Sequence, residues 1–272
     1  MTHQSLYQML ELPAEVAEQL SSYEKGRTFH MTEELKNRIL SRASWDGAVK
    51  ELHGLLEDDI YGFKMLFEML DLVCKYSYPK YRKMGISDEI FISTMKFITR
   101  FLEWHKEYHG EYKFTQAPWF PRQMAVIEFR ISALEYEFVD GGTKEIAVHI
   151  PSDAKFDRET VLNSLKEFAV FRDTYFPKWK GLPLTCDTWM LAPAMEELLS
   201  ENSNVLAFKH MFELDEIDEE ATWFMGFVFP GHAGEYETLP EKTSLQKKIK
   251  ERLIAGKKIG VAKGHLKEDY VV

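Results

Sequence analysis

The sequence predicts an α+β protein, an all-helical domain over residues 1–120 followed by a mixed-sheet domain over residues 121–272. Three observations predict it. Apolar residues recur with a period near 3.6 as far as about residue 110. After Pro121 the period drops to two, around Asp140-Gly141-Gly142. Beyond that hairpin, strand-like and helix-like segments alternate, which implies a parallel crossover.

The helical half is punctuated by recognisable ends. Thr32 stands where an N-cap belongs, ahead of acidic first-turn residues in TEELKNRILSRA. GFKMLFEMLDLVCKY puts Phe63, Leu66, Phe67, Leu70, Val73 and Cys74 on one stripe, so Cys74 reads as packing. SDEIFISTMKFITRFLEWHKEYHG opens at Ser87 and reads as one helix ending at Gly110. Within it His105 and His109 are four apart and could share a metal. A zinc-protease helix would place glutamate directly after the first histidine, where Lys106 stands, and no third ligand is evident. No metal is expected.

LEYEFVDGGTKEIAVHIP, Leu134 to Pro151, reads as a β-hairpin. Its alternation puts Leu134, Tyr136 and Phe138 on a face with Ile146, Val148 and Ile150. A three-residue loop, Asp140 to Gly142, sets His149 opposite Ala133, with Glu135 on the diagonal. Glu135, Glu137, Glu145, Ala147 and His149 then form the other face. That pattern fits a solvent-washed surface, and it also fits an imidazole oriented by a carboxylate.

Asp157 is placed to cap the next helix, which ends before Pro177, with Phe156 and Val161 as its hydrophobic staple. LPLTCDTWML follows as a strand, Ala192-Pro193 opens a short helix, and Ser203 caps another before a strand with Phe212 and Leu214. The basic tail LQKKIKERLIAGKKIGVAKG reads as a solvated helix face.

Composition sets the outer limits. The chain has 272 residues, 45% hydrophobic, with 19 Phe, 12 Tyr and 6 Trp, enough for a substantial core. Its net charge of −10 and lack of a long basic run argue against nucleic acid as the main partner. No stretch is apolar enough to span a membrane, and MTHQSLYQMLELP lacks a signal-peptide pattern. Two cysteines far apart fit free thiols, and a cytoplasmic location is expected.

Three blocks carry a family resemblance. The first is MGISDEIFISTMKFITRFLEWHKEYHGEYKF with Trp119 and FRISALEYEF. The second is VHIPSDAKFDRETVLNSLKEFAVFRDTYFP with CDTWMLAPAMEELLSENSNVLAFKHMFEL. The third is LPEKTSLQKKIKERLIAGKKIGVAKG. Together they resemble bacterial acyltransferase-like proteins that join a helical N-acyltransferase N-terminal domain to a GNAT-like C-terminal domain. Two departures stand out. Ser132-Ala133 occupies the place of an expected Gly-Arg pair, and PSDAKFDRE replaces the glycine-rich phosphate loop.

The resemblance implies a GNAT-like mixed-sheet fold in which the pantetheine arm of an acyl-CoA lies between two diverging parallel strands, here Glu145–Ile150 and Leu184–Leu191. It implies direct acyl transfer to a small-molecule amine acceptor. His149 is the expected base, oriented by Glu135. Residues assigned to the donor are Ile150, through its strand N–H, with Ser152, Lys155, Arg158 and Asn204. An acyl-phosphopantetheine carrier protein is the alternative donor. Two other classes stay open: a thioesterase or acyl relay through Cys186 with His149 as base, and a non-catalytic GNAT-like binding module. Leu184, Cys186, Thr188 and Met190 share a strand face, which also fits an inert, buried cysteine.

Overall fold

The computed structural model describes residues 1–232 and 234–270, and the chain forms two compact units, 1–130 and 131–272. The first is helical. Its longest elements are Ala14–Gly26, Trp45–Leu55, Phe63–Leu72, Asp88–Met95 and Phe97–His109. Thr32 and Ser87 cap as expected, their hydroxyls accepting from the Leu35 and Ile90 amides. Gly110 ends its helix with φ 82°, a left-handed conformation that favours glycine.

Two local readings are corrected here. The segment from Ser87 to Gly110 is two helices broken at Lys96, where ψ opens to −8°. The helix through Cys74 also widens into a π-turn at Val73–Ser77, immediately before Pro79. A proline lacks an N–H and its ring crowds the carbonyl four residues back, so the preceding turn opens and Tyr78 bonds to Val73 instead. Buried Glu68 is held between Arg27 at 2.6 Å and the Tyr23 hydroxyl at 3.1 Å. Among the described residues no helix is long and apolar enough to cross a membrane.

The sheet has six strands: β1 (Glu128–Ile131), β2 (Leu134–Gly141), β3 (Thr143–His149), β4 (Leu184–Thr188), β5 (Phe212–Asp218) and β6 (Val261–Leu266). Their order is β1-β2-β3-β4-β6-β5. β3 and β4 are parallel and joined by the helix Arg158–Tyr175, as the succession of elements predicts; β2 with β3, β4 with β6 and β5 with β6 pair antiparallel.

β6 is the element missed in the tail. It inserts between β4 and β5, so those two are not neighbours. Gly264 makes this insertion possible: a Cβ there would meet the Glu213 carbonyl oxygen at 2.5 Å.

Leu134, Tyr136, Phe138, Ile146 and Val148 are all buried on one face, as the alternation requires. The helix Arg158–Tyr175 covers that face, with Tyr136 and Phe168 stacked at 3.9 Å. Met195, Leu206, Phe224, Phe229 and Ile249 form a second cluster, to which the helix Ser244–Ile254 contributes Ile249.

Ser164 fastens the covering helix to the turn between β1 and β2. Its hydroxyl donates to the Ile131 carbonyl at 2.6 Å, receives the Leu134 amide at 3.2 Å and contacts the Tyr136 hydroxyl at 3.0 Å. The turn it braces contains Ser132 at φ 55°, a left-handed position natural to the glycine that the resemblance calls for. Ser164→Ala should cost about 1–3 kcal/mol, because it strands buried polar groups. Thermal melts should show a lower Tm, and an unchanged Tm would show that these bonds are replaced without loss.

Candidate active site

The parallel ladder between β3 and β4 covers only Ile146↔Leu184 and Ala147↔Thr185. Past that point the strands part. Each is held on its far edge: His149 on β3 still pairs with Glu135 on β2, and Asp187 and Thr188 on β4 pair with Lys263 and Ala262 on β6. The result is a notch whose two walls are strand edges outside the mutual ladder.

The β4 wall of this notch is shorter than the sequence suggests. β4 ends at Thr188 instead of Leu191, because the Thr188 hydroxyl accepts from the Met190 amide at 3.3 Å and turns the chain into a 3₁₀ helix.

Strand parity assigns the residues along the walls. Ala147 and Thr185 share a face, so two residues further on His149 and Asp187 share it too. Ile146, Val148, Leu184 and Cys186 point into the buried face. His149 and Cys186 therefore lie on opposite sides of the sheet, and His149 is not placed to act as base for that thiol. Burial also pushes the Cys186 thiol far above its ordinary range, with Asp187 adding to the effect. The cysteine relay loses its base and its thiolate together.

The expected partner of His149 is corrected. The hairpin closes through Gly142 alone, φ 80°, with Gly141 opposite Thr143, so the pairing frame moves by two from a three-residue loop. His149 then faces Glu135 directly, and its imidazole bonds one same-face position further along β2, to Glu137. The Nε2 to Oε2 distance is 3.0 Å. An ionised carboxylate only accepts, so it fixes the proton on Nε2 and leaves Nδ1 as the basic nitrogen. Glu135 and Glu137 are 6% and 4% exposed, so this part of the face is not solvent-washed.

The donor-binding candidates occupy the chain after β3. Ile150 is half-buried and Ser152, Lys155 and Arg158 are exposed. Asp157 caps the helix as expected, accepting from the Thr160 amide at 2.9 Å and the Thr160 hydroxyl at 2.8 Å. The Thr160 bonds hold this carboxyl below the ordinary carboxylate range. Asn204 is exposed at the start of a six-residue helix, which meets this segment through the Phe156–Phe208 ring contact at 4.7 Å.

Asp187 was not singled out as a site residue. The alternation in TCDT marks it as opposite in face to Cys186, but its alignment with His149 depends on a ladder that only the fold reveals. His105 and His109 stack at 4.4 Å, and the His105 Nδ1–H donates to the Glu111 carbonyl at 2.7 Å.

Burial raises the Cys74 thiol as well, to about 11. Native protein treated with iodoacetamide at mildly alkaline pH should therefore remain unlabelled at Cys74 and Cys186 by peptide mass spectrometry, with both alkylated after denaturation. Native alkylation of Cys186 would overturn its placement.

The model of the GNAT-like C-terminal domain matches residues 95–266, and that of the N-acyltransferase N-terminal domain matches residues 1–126. No curated protein matches the chain. Among solved structures, the chain is similar to an acyltransferase in complex with decanoyl-CoA and teicoplanin, at 20% identity and TM-score 0.76, over 97% of this chain and 86% of that one. It is also similar to an acyltransferase in complex with CoA and 10C-teicoplanin, at 20% identity and TM-score 0.75, over 97% and 87% of the two chains. These likenesses support the fold, and the matched models fix the family: the chain belongs to the acyltransferase-like proteins that carry an N-acyltransferase N-terminal domain and a GNAT-like C-terminal domain.

Proposed function

We propose that the protein is an N-acyltransferase that moves an acyl group directly from an acyl-CoA thioester to an amine, with the chemistry in the GNAT-like domain from about residue 121 onward. The observation that carries this reading is the notch between β3 and β4, with the carboxylate-bound His149 at its edge. A pantetheine arm has amides along its length and can bond to strand edges as an additional strand would. His149, its tautomer set by Glu137, takes the amine proton as nitrogen attacks the thioester carbonyl. The N–H of Ile150 is assigned to the oxyanion that develops there. The tetrahedral intermediate then collapses to the amide and expels the thiolate.

Acyl-CoA as donor and a small-molecule amine as acceptor follow the molecules bound by the similar acyltransferases, decanoyl-CoA and teicoplanin. The two free, buried cysteines fit a reducing, cytoplasmic setting. Lys155 and Arg158 are assigned to the donor's phosphates, with Ser152 and Asn204 lining the same approach.

One observation favours a second donor. Asp157 already occupies the helix N-terminus where a pyrophosphate would bind. An acyl carrier protein presents pantetheine on a single phosphodiester and asks less of that position.

Purified protein should be assayed by mass spectrometry for amide formation with acyl-CoA and acyl-carrier donors against a panel of amines. His149→Ala should lose about 10²–10⁴-fold in rate, the usual contribution of a positioned base, while Cys186→Ala should keep most activity. Loss of turnover only in the cysteine variant, with an acyl adduct on wild type, would reverse this choice.

The Lys155→Glu and Arg158→Glu double variant should weaken CoA binding and reduce its salt dependence. Unchanged calorimetric affinity would move the phosphate site elsewhere.

A further inference from the structure

We propose that Asp187 is the general acid that protonates the departing thiolate, an assignment that rests on the acyl-transfer reading above. Direct transfer is assisted by a proton donor as well as a base, since an alkyl thiolate is basic and departs more readily as the neutral thiol. The base and the acid must flank the same thioester. His149 and Asp187 are the first same-face residues past the end of the ladder, one on each wall of the notch.

The surroundings of Asp187 suit a carboxyl that carries a proton. Its cross-strand partner on β6 is Lys263, but that ammonium reaches across β4 to Glu145 on β3, at 2.8 and 2.9 Å from the two carboxylate oxygens. Asp187 itself makes no ion pair or side-chain hydrogen bond among the described residues. Glu216 and Asp218 approach from β5 on the far side of β6. Desolvation of the carboxyl raises its pKa above the ordinary aspartate range. Lys263 opposes this, Glu216 and Asp218 reinforce it, and His149 opposes it. The residue as a whole is exposed. A donor filling the notch would strip further water from the carboxyl and shift it in the same direction.

The step balances without another reactant. The C–S bond breaks, its electron pair goes to sulfur, and the Asp187 proton moves to that sulfur to give free thiol. The amine proton has moved to His149. Loss of a proton from the imidazolium and uptake of one by the Asp187 carboxylate, both through water, restore the starting state.

The test compares Asp187→Asn with wild type on two donors, an acyl-CoA and the matching acyl ester of thiophenol, whose thiolate needs no proton to leave at neutral pH. The ratio of variant to wild-type kcat/KM on each donor cancels differences in donor binding. The expected loss is about 10²-fold or more with acyl-CoA and little with the aryl thioester, with matching Tm values showing intact folding. Equal losses on both donors, or none with acyl-CoA, would overturn the acid role while leaving acyl transfer standing. A wild type that transfers no acyl group to any amine would remove the reaction and the acid role together.

Discussion

The arrangement of the C-terminal unit turns on where two parallel strands stop pairing. β3 and β4 share a ladder at two positions and then diverge, yet neither frays, because each has an antiparallel partner on its other edge. An unpaired strand edge is ordinarily a liability. Here it is confined to a few residues and rigidly supported. The β2–β3 hairpin holds one wall, with the Tyr136–Phe168 stack beneath it, and β6 holds the other. Gly264 lets β6 sit between β4 and β5, so the second wall depends on a residue with no side chain.

The same parting decides which chemistry the walls can present. Alternation sends Ile146, Val148, Leu184 and Cys186 into the apolar layer and turns His149 and Asp187 to the other face. A nucleophilic cysteine would have to cross the sheet to reach the imidazole. What the polar face offers is an imidazole bonded to Glu137 on one wall and, on the other, a carboxyl with no ion pair among the described residues, and on the proposed reading that combination serves proton transfer better than covalent catalysis.

Much of this was legible in local sequence. The capping residues Thr32, Ser87 and Asp157, the stop at Gly110 and the buried face of the hairpin all depend on neighbours a few residues away. The features that escaped depend on distant pairing. The hairpin frame differed by two residues, which preserves the faces but exchanges Glu135 for Glu137 as the partner of His149. A shift of one would have exposed the apolar set, so periodicity excludes it, whereas nothing in the alternation distinguishes frames two apart. β6 was obscured by Gly260, Gly264 and the neighbouring lysines, which resemble a polar tail until β4 and β5 are set on either side. Asp187 became visible only once β3 and β4 were aligned.

The segment after β3 departs from the glycine-rich loop that the family resemblance calls for. Without glycines, PSDAKFDRE cannot wrap its backbone closely about a pyrophosphate, and Asp157 uses its carboxylate to satisfy the Thr160 amide at the helix start. Its pKa is held low, so the carboxylate stays ionised at neutral pH and repels a second anion from the same amide. Exposed Lys155 and Arg158 can offset that repulsion only through flexible, screened charge. On the proposed acyl-transfer reading, recognition of a donor would lean on its thioester and pantetheine end, along the strand edges, more than on its phosphates.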